Sequence, residues 1–133
     1  MITRQASCSC GQLNLTCEGE PRHVSLCHCR ECQRRTGSAF GIAAFFVRGA
    51  VTAAGEARPF TRRSEGGHAV TFHFCPICGS TVYWQPERFA DLIAVAVGAF
   101  ADPSFPVPAQ SVWESARHDW VALPPNIVRR SGN

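Results

Sequence analysis

Seven of the eight cysteines in this 133-residue sequence fall into two sets whose spacing suits metal ions. In Cys75-Pro76-Ile77-Cys78-Gly79, two thiolates three residues apart can wrap one ion. Pro76 presets φ for the tight turn, and Gly79 can take the left-handed conformation that aims amides back at sulfur. This is half of a tetrahedral site. Cys8-Ser9-Cys10-Gly11, which also ends in glycine, is expected to supply the other half. Four sulfurs close the coordination sphere, so Cys8, Cys10, Cys75 and Cys78 read as a structural zinc site. The competing readings are a pair of buried thiols or a redox Cys-x-x-Cys, and the latter needs a βαβ setting that this sequence lacks. Iron is a further alternative, although Cys-x-Cys paired with Cys-x-x-Cys suits zinc better.

The second set lies in Cys27-His28-Cys29-Arg30-Glu31-Cys32. Three thiolates converging on one ion leave the fourth tetrahedral position open, the arrangement of a reactive zinc site. The alternative is a second structural site completed by Cys17 or by a histidine. Cys17 shares the apolar face of Leu13 and Leu15 and reads as a small core residue. His28 lies between two ligands, so in an extended segment its ring points away from them. His73 falls on the polar face of a strand, and His23, His68 and His118 fall in or beside loops; each reads as solvated. Arg30, Arg34 and Arg35 follow the cluster directly. Singly they suit a solvated helix face, and together they could attract a ligand carrying carboxylates.

The chemistry open to such a site is thiol activation. A thiol entering the free position is ionised outright, and an aldehyde carbon held beside it can then be attacked, with proximity supplying much of the gain. Cys27, Cys29 and Cys32 are ligands in this scheme, and Glu31 or His28 are candidates to move the proton.

The elements that must position these residues are mostly strands. Leu13, Leu15 and Cys17 alternate with polar neighbours, as do Val70, Phe72 and Phe74, and Thr81 to Trp84 continues after a turn. Phe40 to Val47 and Leu92 to Val97 are unbroken apolar runs of strand length. Ser111 to Trp113 and Trp120 to Leu123 are weaker strand candidates. Arg30 to Thr36, ending at Gly37, predicts a short helix with a glycine cap. A short turn opens near Pro86, and Pro103, Pro106 and Pro108 mark a loop. The class is mainly β. One zinc domain is expected over residues 1–125, with a flexible tail over 126–133.

Composition supports one buried core, with 45% of residues hydrophobic. The formal charge is +3, carried without a single lysine, and it counts every cysteine as neutral. With seven cysteines ionised around two Zn²⁺ ions the net falls to about 0, so no basic nucleic-acid footprint is expected. No run approaches the ~20 apolar residues of a membrane span. The first residues do not form a signal peptide, and the expected compartment is the cytoplasm, where thiols stay reduced.

With these positions placed, the sequence resembles the glutathione-dependent formaldehyde-activating enzyme family, whose domain also occurs in centromere protein V. The pattern is Cys8-x-Cys10-Gly11, Cys27-His28-Cys29-Arg30-x-Cys32, Gly37-Ser38-Ala39-Phe40, Phe74-Cys75-Pro76-x-Cys78-Gly79-Ser80, Gly98 with Asp102-Pro103, and Trp120, spanning residues 6–123. The resemblance implies a β-tent fold of antiparallel sheets around a structural zinc, and the same division of the cysteines into structural and catalytic zinc ligands. It also implies a carbon–sulfur lyase that condenses glutathione with formaldehyde to S-(hydroxymethyl)glutathione. The alternative functions are a non-catalytic zinc module that binds a partner, and a methionine sulfoxide reductase, which would need a free nucleophilic cysteine.

Overall fold

A computed structural model describes all 133 residues. Eleven strands and one α-helix follow in the order β1 (Thr3–Ser7), β2 (Asn14–Glu18), β3 (His23–Cys27), α1 (Arg30–Thr36), β4 (Gly41–Val47), β5 (Val51–Ala54), β6 (Arg58–Arg63), β7 (Ala69–Phe74), β8 (Thr81–Pro86), β9 (Leu92–Ala96), β10 (Gln110–Val112) and β11 (Val128–Arg129). Short 3-10 turns link several of them, including the turn expected after Pro86.

The strands form two sheets. A three-stranded antiparallel sheet runs β1-β2-β5, and an eight-stranded sheet runs β11-β10-β3-β4-β9-β8-β7-β6. The larger sheet departs from the expected all-antiparallel arrangement at one edge, where β10 pairs in parallel with both β3 and β11. β10 reaches that position only after the long proline-marked loop, which lets a late segment arrive in the same direction as β3.

The unbroken apolar runs are explained by burial on both faces of the larger sheet. On β4, Ala44 and Phe46 turn into the main core with Leu13 and Leu15 of the smaller sheet's hairpin, Val82, Ile93 and Val95. Ala43 and Phe45 turn the other way, with Val70, Phe72, Trp84 and Ala94. The period-two rule puts His23, Ser25 and Cys27 of β3 on that second face, opposite Phe45, Ala43 and Gly41 respectively. Cys17 is fully buried in the main core, as expected.

His23 lies beside a loop, as expected: it is the first residue of β3, where it stacks on Phe45 at 4.3 Å. Three local expectations change. His28 is fully buried and not solvated. Residues 120–123 form no strand: Trp120 is 74% exposed and only Val121 is buried. The expected tail instead contributes β11, and Arg130 N–H donates to the Ser111 carbonyl at 2.9 Å. The unpaired side of β10 takes up these backbone groups, so a polar sequence still finds a place in the sheet. No helix is long and apolar enough to cross a membrane.

Candidate functional site

The four-cysteine set joins the two sheets. Cys8 and Cys10 lie in the loop between β1 and β2, and Cys75 and Cys78 in the loop between β7 and β8. Their sulfurs all lie within 4.8 Å of one another. Cys10 Sγ is 3.6 Å from Cys8 Sγ and 3.7 Å from Cys75 Sγ. An ion bonded tetrahedrally to sulfur at ~2.3 Å spaces its ligands by about 3.8 Å, so this cluster fits one.

The surrounding donors suit thiolates. Leu13 N–H points at Cys8 Sγ at 3.3 Å, and Ile77 and Cys78 N–H point at Cys75 Sγ at 3.4 and 3.5 Å. Gly79 has φ of 80°, the left-handed turn expected of it, and its N–H closes the turn on the Cys75 carbonyl. Hydrogen bonds from the Ser80 hydroxyl and amide lower the Cys78 thiol to about 5. Gln12, which the sequence did not single out, donates from Nε2 to Cys75 Sγ at 3.0 Å and to the Glu56 carbonyl, while its Oε1 accepts Glu56 N–H at 2.8 Å. A glutamine carries no metal signature, and its role appears only once the chain is folded.

The three-cysteine set is built at the exit of a strand. Cys27 ends β3, Cys29 caps α1, and Cys32 sits in its first turn, with the three sulfurs within 4.8 Å of one another. Gly37 closes the helix at φ of 68°, as predicted. Hydrogen bonds from Cys27 and Cys29, with the Arg35 guanidinium alongside, lower the Cys32 thiol to about 3. Hydrogen bonds to Cys29 and Cys32, together with burial, push the Cys27 thiol strongly up. Three sulfurs this close cannot all carry charge unless a cation joins them, which is what a divalent metal supplies.

His28 does point away from this set, as the extended geometry requires. Its Nε2 lies 2.8 Å from Ser111 Oγ, and Ser111 donates onward to Glu114 at 2.6 Å. With Ser111 as donor to Glu114, His28 Nε2 carries the proton. Burial lowers its pKa, which favours the neutral ring. Glu114 is in turn paired with Arg129 at 2.8 Å. The network ties the ligand segment to β10 and leaves His28 no part in proton movement at the sulfurs. Glu31, the other candidate, pairs with Arg34 at 3.1 Å and lines a separate groove.

Cys27, Cys29 and Cys32 line a cleft of about 650 Å³ on the second face of the large sheet. Its walls include Ala43, Phe45, Val70, Trp84 and Phe89. Of the three arginines that follow the cluster, only Arg35 reaches the cleft; Arg30 and Arg34 are exposed elsewhere. Arg62, Arg88 and Arg130 join it from β6, the turn after β8 and the C-terminal segment. None of these was legible beforehand, because each is brought in by strand pairing across distant parts of the chain. Neither Cys8, Cys10, Cys75 nor Cys78 lines this cleft. Cys17, the remaining thiol, is fully buried, and burial raises it to about 11, so the nucleophile that a sulfoxide reductase would need is missing.

A family model described as "Glutathione-dependent formaldehyde-activating enzyme" matches residues 3–116. A crystal structure of a Rhodobacter sphaeroides protein, a structural-genomics target, matches with a TM-score of 0.58 at 17% identity, covering 95% of this chain and 98% of that one. That likeness concerns the fold alone. No curated protein matches the sequence.

Proposed function

Because the chain belongs to the glutathione-dependent formaldehyde-activating enzyme family, we propose that it is a zinc-dependent carbon–sulfur lyase-type enzyme. In this reading it joins a thiol such as glutathione to formaldehyde or a related small aldehyde. The observation that carries the reading is the unequal placement of the two cysteine sets: three sulfurs face a large cleft and four do not.

Cys8, Cys10, Cys75 and Cys78 hold a structural zinc and tie the two sheets together. A second zinc held by Cys27, Cys29 and Cys32 would ionise an incoming thiol and fix it as the nucleophile. The protein's own groups do the rest. Cys27, Cys29 and Cys32 occupy one wall, so the open side faces the cleft. Arg35 beside Cys32 offsets the negative charge that the sulfurs gather. Ala43, Phe45, Val70 and Trp84 form an apolar wall that keeps water from the carbonyl carbon and narrows its approach. The titratable groups that share the cleft are His23, His68 and Glu65, and these replace His28 and Glu31 as candidates for the proton.

Thiols and aldehydes combine without help, so binding is more diagnostic than rate. Cobalt-substituted protein titrated with glutathione should shift its charge-transfer bands, and S-methylglutathione, lacking the thiol proton, should not. If both ligands behave alike, or neither perturbs the metal, thiol coordination is excluded and a non-catalytic zinc module of the same fold takes its place.

A further inference from the structure

Two arginines from different elements converge on one aromatic ring at the edge of the cleft. Arg35 of α1 places its Cζ 5.5 Å from the Phe72 centroid and 4.3 Å from that of Trp84. Arg62 of β6 places its Cζ 4.9 Å from the same Phe72 ring. Both line the large cleft, and both also line the smaller groove beside Phe60 and Phe74, so they stand at the boundary between the two spaces.

Neither guanidinium has a carboxylate partner, although Arg35 also lies beside the Cys32 thiol. The ion pairs of the protein use Arg4, Arg34, Arg117 and Arg129 with Glu20, Glu31 and Glu114, and Arg35 and Arg62 lie beyond 4.0 Å of every carboxylate. Arg62 donates only to the Arg63 carbonyl, at 3.2 Å. The Nε of Arg35 is buried and has no partner at all, a rare and costly state for a charged donor. The ring faces of Phe72 and Trp84 hold the cations in place without neutralising them.

The position of Arg35 is also prepared by its neighbour. A Cβ on Gly41 would lie 2.6 Å from Arg35 Nη2 and 3.6 Å from Cys32 Cβ. The missing side chain at Gly41 is the space that the guanidinium fills, directly beside a residue of the three-cysteine set. An anion seated here lies next to the position where a thiol would be held.

We propose that Arg35 and Arg62 form a carboxylate-binding pair, so that the ligand of the three-cysteine site is a thiol carrying a carboxylate. The inference rests on the thiol-binding reading of that site. The planar forks of two arginines suit a carboxylate's two oxygens, and such bonds gain strength from charge on both partners. The pair would fix one end of the ligand while the sulfur end is held by the metal.

The test is calorimetric titration of the zinc-loaded full chain with 3-mercaptopropionate and with its uncharged analogue 3-mercaptopropionamide. The acid should bind about tenfold or more tighter than the amide, the range expected of a hydrogen-bonded charge pair. Arg62→Gln should bring that ratio close to one while leaving amide affinity unchanged. Arg35→Gln should lower the ratio as well, with a change in amide affinity because Arg35 also lies beside Cys32. Arg35→Lys, which keeps the charge and loses the fork, should retain part of the preference. Arg62 lies on an edge strand, so its variant carries the test should Arg35→Gln misfold. Equal binding of acid and amide to the unmodified protein, or a ratio unchanged in Arg62→Gln, overturns the pair and leaves the thiol reading standing. If neither thiol binds, the thiol reading itself fails, and the pair with it.

Discussion

The Sγ of Cys29 accepts the backbone N–H of Cys32 at 3.3 Å, so one cysteine of the set caps the helix that carries another. Serine is a favoured residue at a helix N-cap. Cys29→Ser should therefore keep α1 and lose the second metal. Far-UV circular dichroism should be unchanged, and the metal content should fall by one ion per chain. Cys29→Ala should lose about 1 kcal/mol more stability than the serine variant, since it removes the cap as well. Equal stability of the two variants would mean that Cys29 acts only through the metal.

Cys75 has the opposite character. It is fully buried, its sulfur accepts from Gln12, Ile77 and Cys78, and its set joins two sheets. A structural zinc contributes folding free energy directly, so Cys75→Ser should yield protein without a cooperative thermal transition. The unmodified protein should carry about two zinc ions per chain, and mild chelation should remove the one at Cys27, Cys29 and Cys32 first. Thermal melts that place Cys75→Ser and Cys29→Ser together would remove the distinction between the two sets.

Gly41→Ala tests the cleft without replacing a ligand. Gly41 does not have a positive φ, so alanine brings no backbone strain. Its one close contact would be the far end of the Arg35 side chain at 2.6 Å, with Thr36 and Cys32 at ordinary van der Waals distance. The protein should stay folded with both metals, and the displaced guanidinium should reduce the preference for 3-mercaptopropionate over its amide several-fold. An unchanged preference measured by calorimetry would show that Arg35 does not need the space above Gly41.

His23 gives a prediction in pH. Burial first, and the charge of Arg22 second, lower its pKa from the ordinary value. The folded protein thus takes up this proton less readily than the unfolded chain, and stability falls as pH drops below ~6.5, until the folded-state pKa is passed. His23→Gln should lessen the decline in melting temperature between pH 7.5 and 5.5, with metal content checked at each point. Parallel curves for the two proteins would assign the decline to other groups.

The sequence carried the parts of this molecule that depend on local pattern. The alternation in β2, β7 and β8 marked strands, and Gly37 marked the end of α1. The cysteines separated correctly into sets because short spacings and flanking glycines are local features. β6 was invisible because its face is exposed from Arg58 to Arg63 apart from Arg62, leaving no hydrophobic period to read. β1 buries only Ala6, and β11 is held by backbone groups of β10 more than by its side chains. For the same reason the cleft was legible only on its cysteine side. Arg62, Gln12 and the Ser111–Glu114 pair act through residues far away in the chain, and their types alone mark nothing.

The four-cysteine cluster also bears on how the chain assembles. Its two halves are 65 positions apart at Cys10 and Cys75, so filling the site means closing a long loop before the ion can repay the entropy. All four sulfurs precede β10 and β11, the strands that complete the cleft wall beside Cys27. During synthesis, then, the chain holds every ligand of this site before it holds the last strands of the large sheet. A metal captured at that stage secures the two sheets first, and β10 is left to dock in parallel on a β3 edge already fixed in place. Zinc supply would accordingly be felt in the yield of folded protein, whatever the demand for activity.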